Sequence, residues 1–505
     1  MAQTLDVQDV RDRIARELDT VRAQYLADTA QLLRFKTVSG GNAEEEADYQ
    51  RNIPLCLDWL AELSVRMGFA WRRFENRAAE IAWESPAPGR KTVGIAAHID
   101  VVTAQGSWKH APFSATTDGG VLYARGTQDD KGPLMASLYG MYAAKRAGIE
   151  PAVDVRLIIG TCEETGDWDD IAFYLAQRGA PDMGFTPDAT FPITNGEKGM
   201  LNLLFEASWD DAGEDAETGL RFEAIEGGAR TNIVPERCEA RFSYPGGSRS
   251  AVTRELMRST TEFTVQNKGA NITLLPEDGP EGAAGSITAT FLGKAAHSSL
   301  PHLGHNAILD ALSFFSDVST LPAGVRAFVQ FLLLVGKEAD GANLMIAEEH
   351  PFIGRTTVNL GIVKIGPTGG KGYLNIRPTL GVTVDRATEN AKEAAAAFGD
   401  ATGLQVSVKR HGKALDAIHL DPEEPSVAPF IAALQQSYTA VTGREASLCA
   451  IGGTTYAKAF PSFCAFGPVD TNDEQELAHQ ADERVSVDAL MRNATIYGTS
   501  IALMR

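Results

Sequence analysis

The stretch Thr92-Val-Gly-Ile-Ala-Ala-His98-Ile-Asp100 is an apolar run that ends in His-x-Asp. About thirty residues on comes Arg125-Gly-Thr-Gln-Asp129-Asp130-Lys131-Gly132, and then Leu157-Ile-Ile-Gly-Thr-Cys-Glu163-Glu164 repeats the design, apolar and then acidic. The runs read as parallel strands, so hard oxygen ligands and an imidazole collect at strand ends. That is where an open α/β sheet places its site. Carboxylates with histidine suit zinc or a similar divalent ion, and several shared carboxylates suit a metal pair.

The flanking pattern supports such a sheet. Residues 6–36 read as an amphipathic helix, and 40–68 contain a second one ending near Gly68. After Lys91, short apolar runs alternate with helical stretches: Val93–Ile99, helix 132–147 closed by Gly148, Val153–Ile159, then a helix near 169–178. This alternation predicts βαβ units. Near residue 200 the texture changes. Met200–Ala207, Leu220–Glu226, Cys238–Tyr244, Ile272–Leu275 and Ser286–Leu292 read as strands, with helices near 248–267 and 303–317. Strands Val358–Ile365 and Leu374–Arg377 and a helix around 387–398 follow, while the region from about 320 to 372 offers no motif. From about Pro425 the βα texture returns, with helix 426–442, strand Ser462–Phe466 and a last helix 486–503. The expected fold is α/β: a mixed, largely parallel sheet flanked by helices, built from 1–200 and 420–505, with an α+β domain over 201–419 inserted into it.

A chain of 505 residues exceeds one ordinary core, which also argues for two domains. Its formal charge of −20, from 46 basic and 66 acidic residues, disfavours nucleic acid and anionic membrane. No apolar run reaches membrane-spanning length, and the start Met1-Ala-Gln-Thr-Leu-Asp lacks the pattern of a secretory signal. The five cysteines are scattered, which argues against a disulfide framework or a thiolate zinc site and for a reducing, cytoplasmic setting.

Each motif taken alone has a bland reading. His98 and Asp100 share a strand face, so Asp100 can accept the second imidazole N–H while the other nitrogen binds metal; a capped strand end is the plain alternative. Asp129-Asp130 sit at a helix start, where acids favour the macrodipole anyway. Neighbours Glu163 and Glu164 point opposite ways, so unequal roles, one ligand and one base, are expected. Pro187-Asp188-Ala-Thr-Phe-Pro192 holds an acid in rigid backbone, and Asn195-Gly-Glu197-Lys198-Gly199 reads as a possible hairpin. Gly293-Lys-Ala-Ala-His297 projects a histidine after a strand, and Ala478-His479 supplies one before the final helix. Asn232 and Arg377 add possible oxyanion or carboxylate donors.

The order of these motifs resembles the zinc peptidase family of dipeptidase V, carnosinase, succinyl-diaminopimelate desuccinylase, acetylornithine deacetylase and glutamate carboxypeptidase, over nearly the whole chain. Gly184-Phe-Thr-Pro-Asp-Ala-Thr-Phe-Pro-Ile-Thr-Asn-Gly-Glu-Lys-Gly199 and Arg125–Pro133 are most similar to the bacterial dipeptidase V branch. The resemblance implies two zinc ions per chain, with manganese or cobalt as substitutes. His98 and Asp188 would bind one ion, and Glu164 and His479 the other. Asp129 would bridge them through a residue whose peptide bond to Asp130 is cis. Glu163 would be the general base and Asp100 the partner of His98. In the inserted lid, His297 and Asn232 would polarise the scissile carbonyl and Arg377 would hold a carboxylate. Gly453 and Thr454, in Gly452-Gly-Thr454-Thr455, would face substrate. Ala97 and Ala124 stand where the family commonly has glycine.

The implied activity is hydrolysis of small unblocked dipeptides by a zinc-held hydroxide, in a monomer. An N-acyl-amino-acid deacylase or carboxypeptidase would use the same metals and base. A metal-free binding protein on this fold would be expected to have lost ligands.

Overall fold

The computed structural model describes residues 6–84, 89–210, 220–246, 249–277, 279, 284–316 and 321–504. It contains two compact units, Met1–Gly196 with His419–Arg505, and Glu197–Ile418.

The first unit is built on a mixed sheet. Its strands run in the order Ala70–Phe74, Ala78–Trp83, Asp154–Gly160, Thr92–His98, Met183–Thr186, Phe463–Ala465, Ile193–Glu197. Thr92–His98 lies parallel to both Asp154–Gly160 and Met183–Thr186, and Phe463–Ala465 is parallel to the latter. The remaining pairs in this order are antiparallel. The apolar run Val93–His98 is buried at every position. A strand covered on both faces needs such a run, because neither face meets water. Asn195–Gly199 does not turn as a hairpin. Ile193–Glu197 is a strand, and Leu448–Ile451 pairs with it; a pairing segment 250 residues away cannot be read locally.

Three helices pack together on this unit: Val7–Leu33, Lys131–Arg146 and Val487–Leu503. Lys131–Arg146 is buried almost throughout. Its Gly140 permits close approach, since a Cβ there would stand 2.6 Å from the Ala494 carbonyl oxygen and 2.7 Å from the Gly498 nitrogen. Helix Ala43–Arg66 starts at a capping box, in which the Asn42 side chain accepts from Glu44 N and Glu45 N and Glu45 answers to Asn42 N.

The second unit is an antiparallel sheet in the order Asn271–Glu277, Gly285–Leu292, Arg237–Tyr244, Arg221–Gly227, Thr357–Gly366, Gly369–Arg377, Leu201–Ser208, Ser407–Arg410. Here the strands alternate buried and open positions, as in Arg237–Tyr244, because helices cover one face. One of these, Ala323–Gly336, falls in the region without a motif. It buries Val325, Phe328, Val329, Phe331, Leu332 and Val335. Its near-continuous apolar sequence blurs the helical period, so periodicity alone does not identify it. Among the described residues no helix is long and apolar enough to cross a membrane.

Candidate metal centre

Three neighbouring parallel strands end side by side and deliver the acids. Thr92–His98 leads to His98 and Asp100, Asp154–Gly160 to Glu163 and Glu164, and Met183–Thr186 to Asp188. Asp129 stands just before helix Lys131–Arg146, behind a cis peptide to Asp130. His479 arrives on an irregular segment with φ of 62°.

These side chains form two groups whose ligand atoms lie within 4.8 Å of one another: His98, Glu163 and Asp188, and Asp129, Glu164 and His479. Asp129 connects them. Its Oδ1 is 3.0 Å from His98 Nε2, and its Oδ2 is 2.9 Å from His479 Nε2. Glu164 Oε2 is 3.1 Å from the same His479 nitrogen, and Asp188 Oδ2 is 3.9 Å from His98 Nε2.

Asp100 does more than face His98. Its main-chain carbonyl lies 3.0 Å from His98 Nδ1, nearer than its own Oδ1 at 3.3 Å. The carboxylate instead accepts from Glu163 N and Glu164 N, each at 3.1 Å, and from Ser39 Oγ at 2.7 Å. It thereby ties two strand ends together. Asp130 Oδ2 accepts from His98 N at 3.1 Å, so that acid holds backbone. Asp170 is a further buried acid, missed in the sequence. It accepts from Thr161 N, Cys162 N and the Tyr456 hydroxyl, and the Tyr456 ring lies edge-on to His98 at 6.0 Å. Asp170 is one of two adjacent acids in the first turn of helix Asp169–Arg178, where acids favour the macrodipole anyway, so the sequence carries no signal of this role.

The electrostatics follow from crowding acids away from water. Desolvation and neighbouring carboxylates push Glu163 and Asp188 well above the ordinary carboxylate range, and Glu164 to about 7. Asp129 goes the other way: burial opposes its charge, but His479 and His98 hold it well below the ordinary value. Asp129 and Glu164 raise His479 to about 11. For His98, burial disfavours the cation, and Asp100 and Asp129 outweigh it.

The donor set fits divalent cations. His98 Nε2 and Glu164 Oε1 are buried without an aligned hydrogen-bond partner, which buried polar atoms rarely tolerate. Imidazole nitrogen and carboxylate oxygen are the donors zinc takes when thiolates are absent. All five cysteines are free, and Cys162, beside Glu163, has its thiol pushed up to about 12 by burial.

The sequence profile of Peptidase family M20/M25/M40 matches residues 94–502. The chain belongs to this family. It is therefore a metallopeptidase, a hydrolase acting on peptide bonds that binds divalent metal. Among relatives of this M20/M25/M40 peptidase, YtjP of Bacillus subtilis (strain 168), named as a candidate dipeptidase, is 29% identical over 494 residues, covering 96% of this chain and 98% of its own. The Beta-Ala-Xaa dipeptidase of Lactobacillus delbrueckii subsp. lactis is 28% identical over 471 residues, covering 91% of each. The fold is also that of the di-peptidase Dug1p from Saccharomyces cerevisiae, with a TM-score of 0.57, 15% identity and coverage of 98% of both chains.

The peptidase's second unit holds Asn232, His297 and Arg377, and the three are linked there. Asn359 Nδ2 donates to the carbonyls on both sides of Asn232, Thr231 O at 3.1 Å and Ile233 O at 2.9 Å. The turn before it needs glycine: Gly228 has φ of 74°, and a Cβ there would stand 1.8 Å from the Gly361 carbonyl oxygen. Ile233 bridges to His297, and Ser298 N donates to Asn232 O at 2.9 Å. Ser298 Oγ donates to Asn375 Oδ1 at 2.7 Å, which also accepts from Arg377 Nε at 3.2 Å. Asn232, His297 and Arg377 thus share one hydrogen-bonded frame. Burial lowers the His297 pKa, with Arg377 adding to it, and lowers Arg377 to about 10. Gly453 and Thr454 lie in the first unit, before the short helix Tyr456–Ala459, where Lys458 Nζ donates to Thr454 Oγ1 at 3.3 Å.

Proposed function

We propose that this peptidase is a dipeptidase acting on small peptides with free termini, through a pair of divalent ions, zinc being the favoured metal. The observation that carries the reading is Asp129, one oxygen toward His98 and the other toward His479. His98 and Asp188 are assigned to one ion, Glu164 and His479 to the other, and Asp129 to both. The dipeptidase names of two relatives support the substrate class.

When bound, the ions supply Lewis acidity to the scissile carbonyl and to water. Glu163 takes a proton from the attacking water and returns it to the leaving amine. Its environment suits that task, because desolvation and neighbouring acids raise its proton affinity. His297 is assigned as a donor to the developing oxyanion. His297 Nδ1 lies 2.7 Å from Ser299 Oγ and accepts from Ser299 N at 3.3 Å, an arrangement that leaves Nε2 to face substrate, and burial lowers its pKa, which favours the neutral ring. Asn232 is assigned beside it, Arg377 to a substrate carboxylate, and Gly453 and Thr454 to the substrate backbone. The second unit is then a substrate-clamping lid of a monomeric enzyme, present in the cytoplasm.

Glu163→Ala tests the base. Turnover should fall by about 100-fold or more with metal content unchanged. Retention of most activity would refute the assignment, and loss of an ion would make Glu163 a ligand instead, as its grouping with His98 and Asp188 permits. A panel of dipeptides beside acetylated and succinylated amino acids tests the substrate class. Faster hydrolysis of the acylated compounds would make the enzyme a deacylase of the same family.

A further inference from the structure

His479 is a poorly anchored ligand on its own. Its side chain is 57% exposed, so packing does not hold it, and residues 471–483 contain no helix or strand. Asp129 likewise sits in a loop before its helix. Two buried side chains stitch these segments together, one from each.

Glu483, fully buried, receives the Asp129 loop. Its carboxylate accepts from Gly126 N at 3.1 Å, Gln128 N at 2.7 Å and Asp129 N at 3.3 Å, and pairs with Arg125 Nη1 at 2.6 Å. Gln128, 4% exposed, reaches the other way. Its Nε2 donates to Gln475 O at 3.1 Å and Arg484 O at 2.9 Å, and its Oε1 accepts from Leu477 N at 2.8 Å. Each segment therefore uses a side chain to satisfy the other's main chain. Gln128 precedes Asp129 by one residue, and Glu483 follows His479 by four.

We propose that Gln128 and Glu483 form a reciprocal clamp that sets the spacing of Asp129 and His479, and with it the affinity for the ion these two residues share with Glu164. Both are positioning residues, since they act through the main chain of the segments that carry the ligands. The inference rests on the assignment of Asp129, Glu164 and His479 as ligands. Backbone placement matters here because a metal site tolerates only a few tenths of an ångström in its ligand distances.

The test is titration of metal-stripped full-length protein with Co2+, followed by visible absorption and calorimetry, for wild type, Gln128→Met, Glu483→Gln and His479→Ala. Wild type should take up two ions. Gln128→Met and Glu483→Gln should each weaken one site by about 10–100-fold, the usual effect of removing an outer-shell partner, and weaken the other, which shares only Asp129 with it, by clearly less. The more weakened site should be the one His479→Ala loses. Gln128→Met removes fewer bonds and decides the matter if Glu483→Gln does not fold. Two ions in wild type with both variants unaltered would overturn the clamp alone. A single ion in wild type would overturn the ligand assignment and the clamp with it. Parallel weakening of both sites, with a fall in the melting temperature of the metal-free protein, would mark a merely structural role and also overturn the proposal.

Discussion

Asp100 concentrates much of the centre's organisation in one carboxylate, accepting from Ser39, Glu163 N and Glu164 N. Its replacement by asparagine would turn an amide donor toward at least one of these donors. A buried N–H left unpaired costs about 1–3 kcal/mol. Asp100→Asn should therefore weaken metal binding by about 10–100-fold. Ser39→Ala, which removes a single hydrogen bond, should cost only about 0.5–1.5 kcal/mol of stability. Metal titration and thermal melts of the two variants check this, and wild-type metal affinity in Asp100→Asn would refute it. From the sequence, His-x-Asp was legible as a candidate ligand and its neighbour. What was not legible is that the aspartate carboxylate serves the glutamates 63 and 64 residues on.

At the scale of elements, the close approach of helices Lys131–Arg146 and Val487–Leu503 at Gly140 carries the next expectation. Gly140→Val forces branched carbons against the Ala494 carbonyl and the Gly498 backbone, neither of which is a flexible side chain. Overpacking of this kind costs about 1–3 kcal/mol. The denaturant midpoint should fall with the slope unchanged, and an unaltered midpoint would show that the helices yield. Strands and helices with a clear period were readable: the apolar runs at Val93–His98 and Leu157–Gly160 form strands, and the helix closed by Gly148 spans Lys131–Arg146. Helix Ala323–Gly336 was not readable, because apolar residues occupy more than one of its faces.

At the scale of the whole molecule, every assigned metal ligand lies in the first unit. Metal that binds only the folded state adds RT ln(1 + [L]/Kd), about 2.7 kcal/mol at a hundredfold excess over Kd. Chelation should lower the melting temperature and added zinc should restore it; a melting temperature indifferent to both would refute metal binding at this cluster. The proposed monomer predicts that mixing Glu163→Ala with His297→Ala restores no activity, as each chain would need both residues. Restored activity would mean that His297 serves the other subunit.

The amino-acid sequence by itself determined the α/β character, because hydrophobic periods of two and of 3.6 are local and survive in any context. It also offered the candidate donor set, because imidazole and carboxylate at strand ends are visible as residue types. Only the tertiary structure decided that the Asp100 carboxylate accepts from the Glu163 and Glu164 backbone, and that Gln128 and Glu483 stitch loops some 350 residues apart. The reason is physical: a hydrogen bond between distant segments depends on where the packed core brings their backbones, and no local pattern encodes that distance.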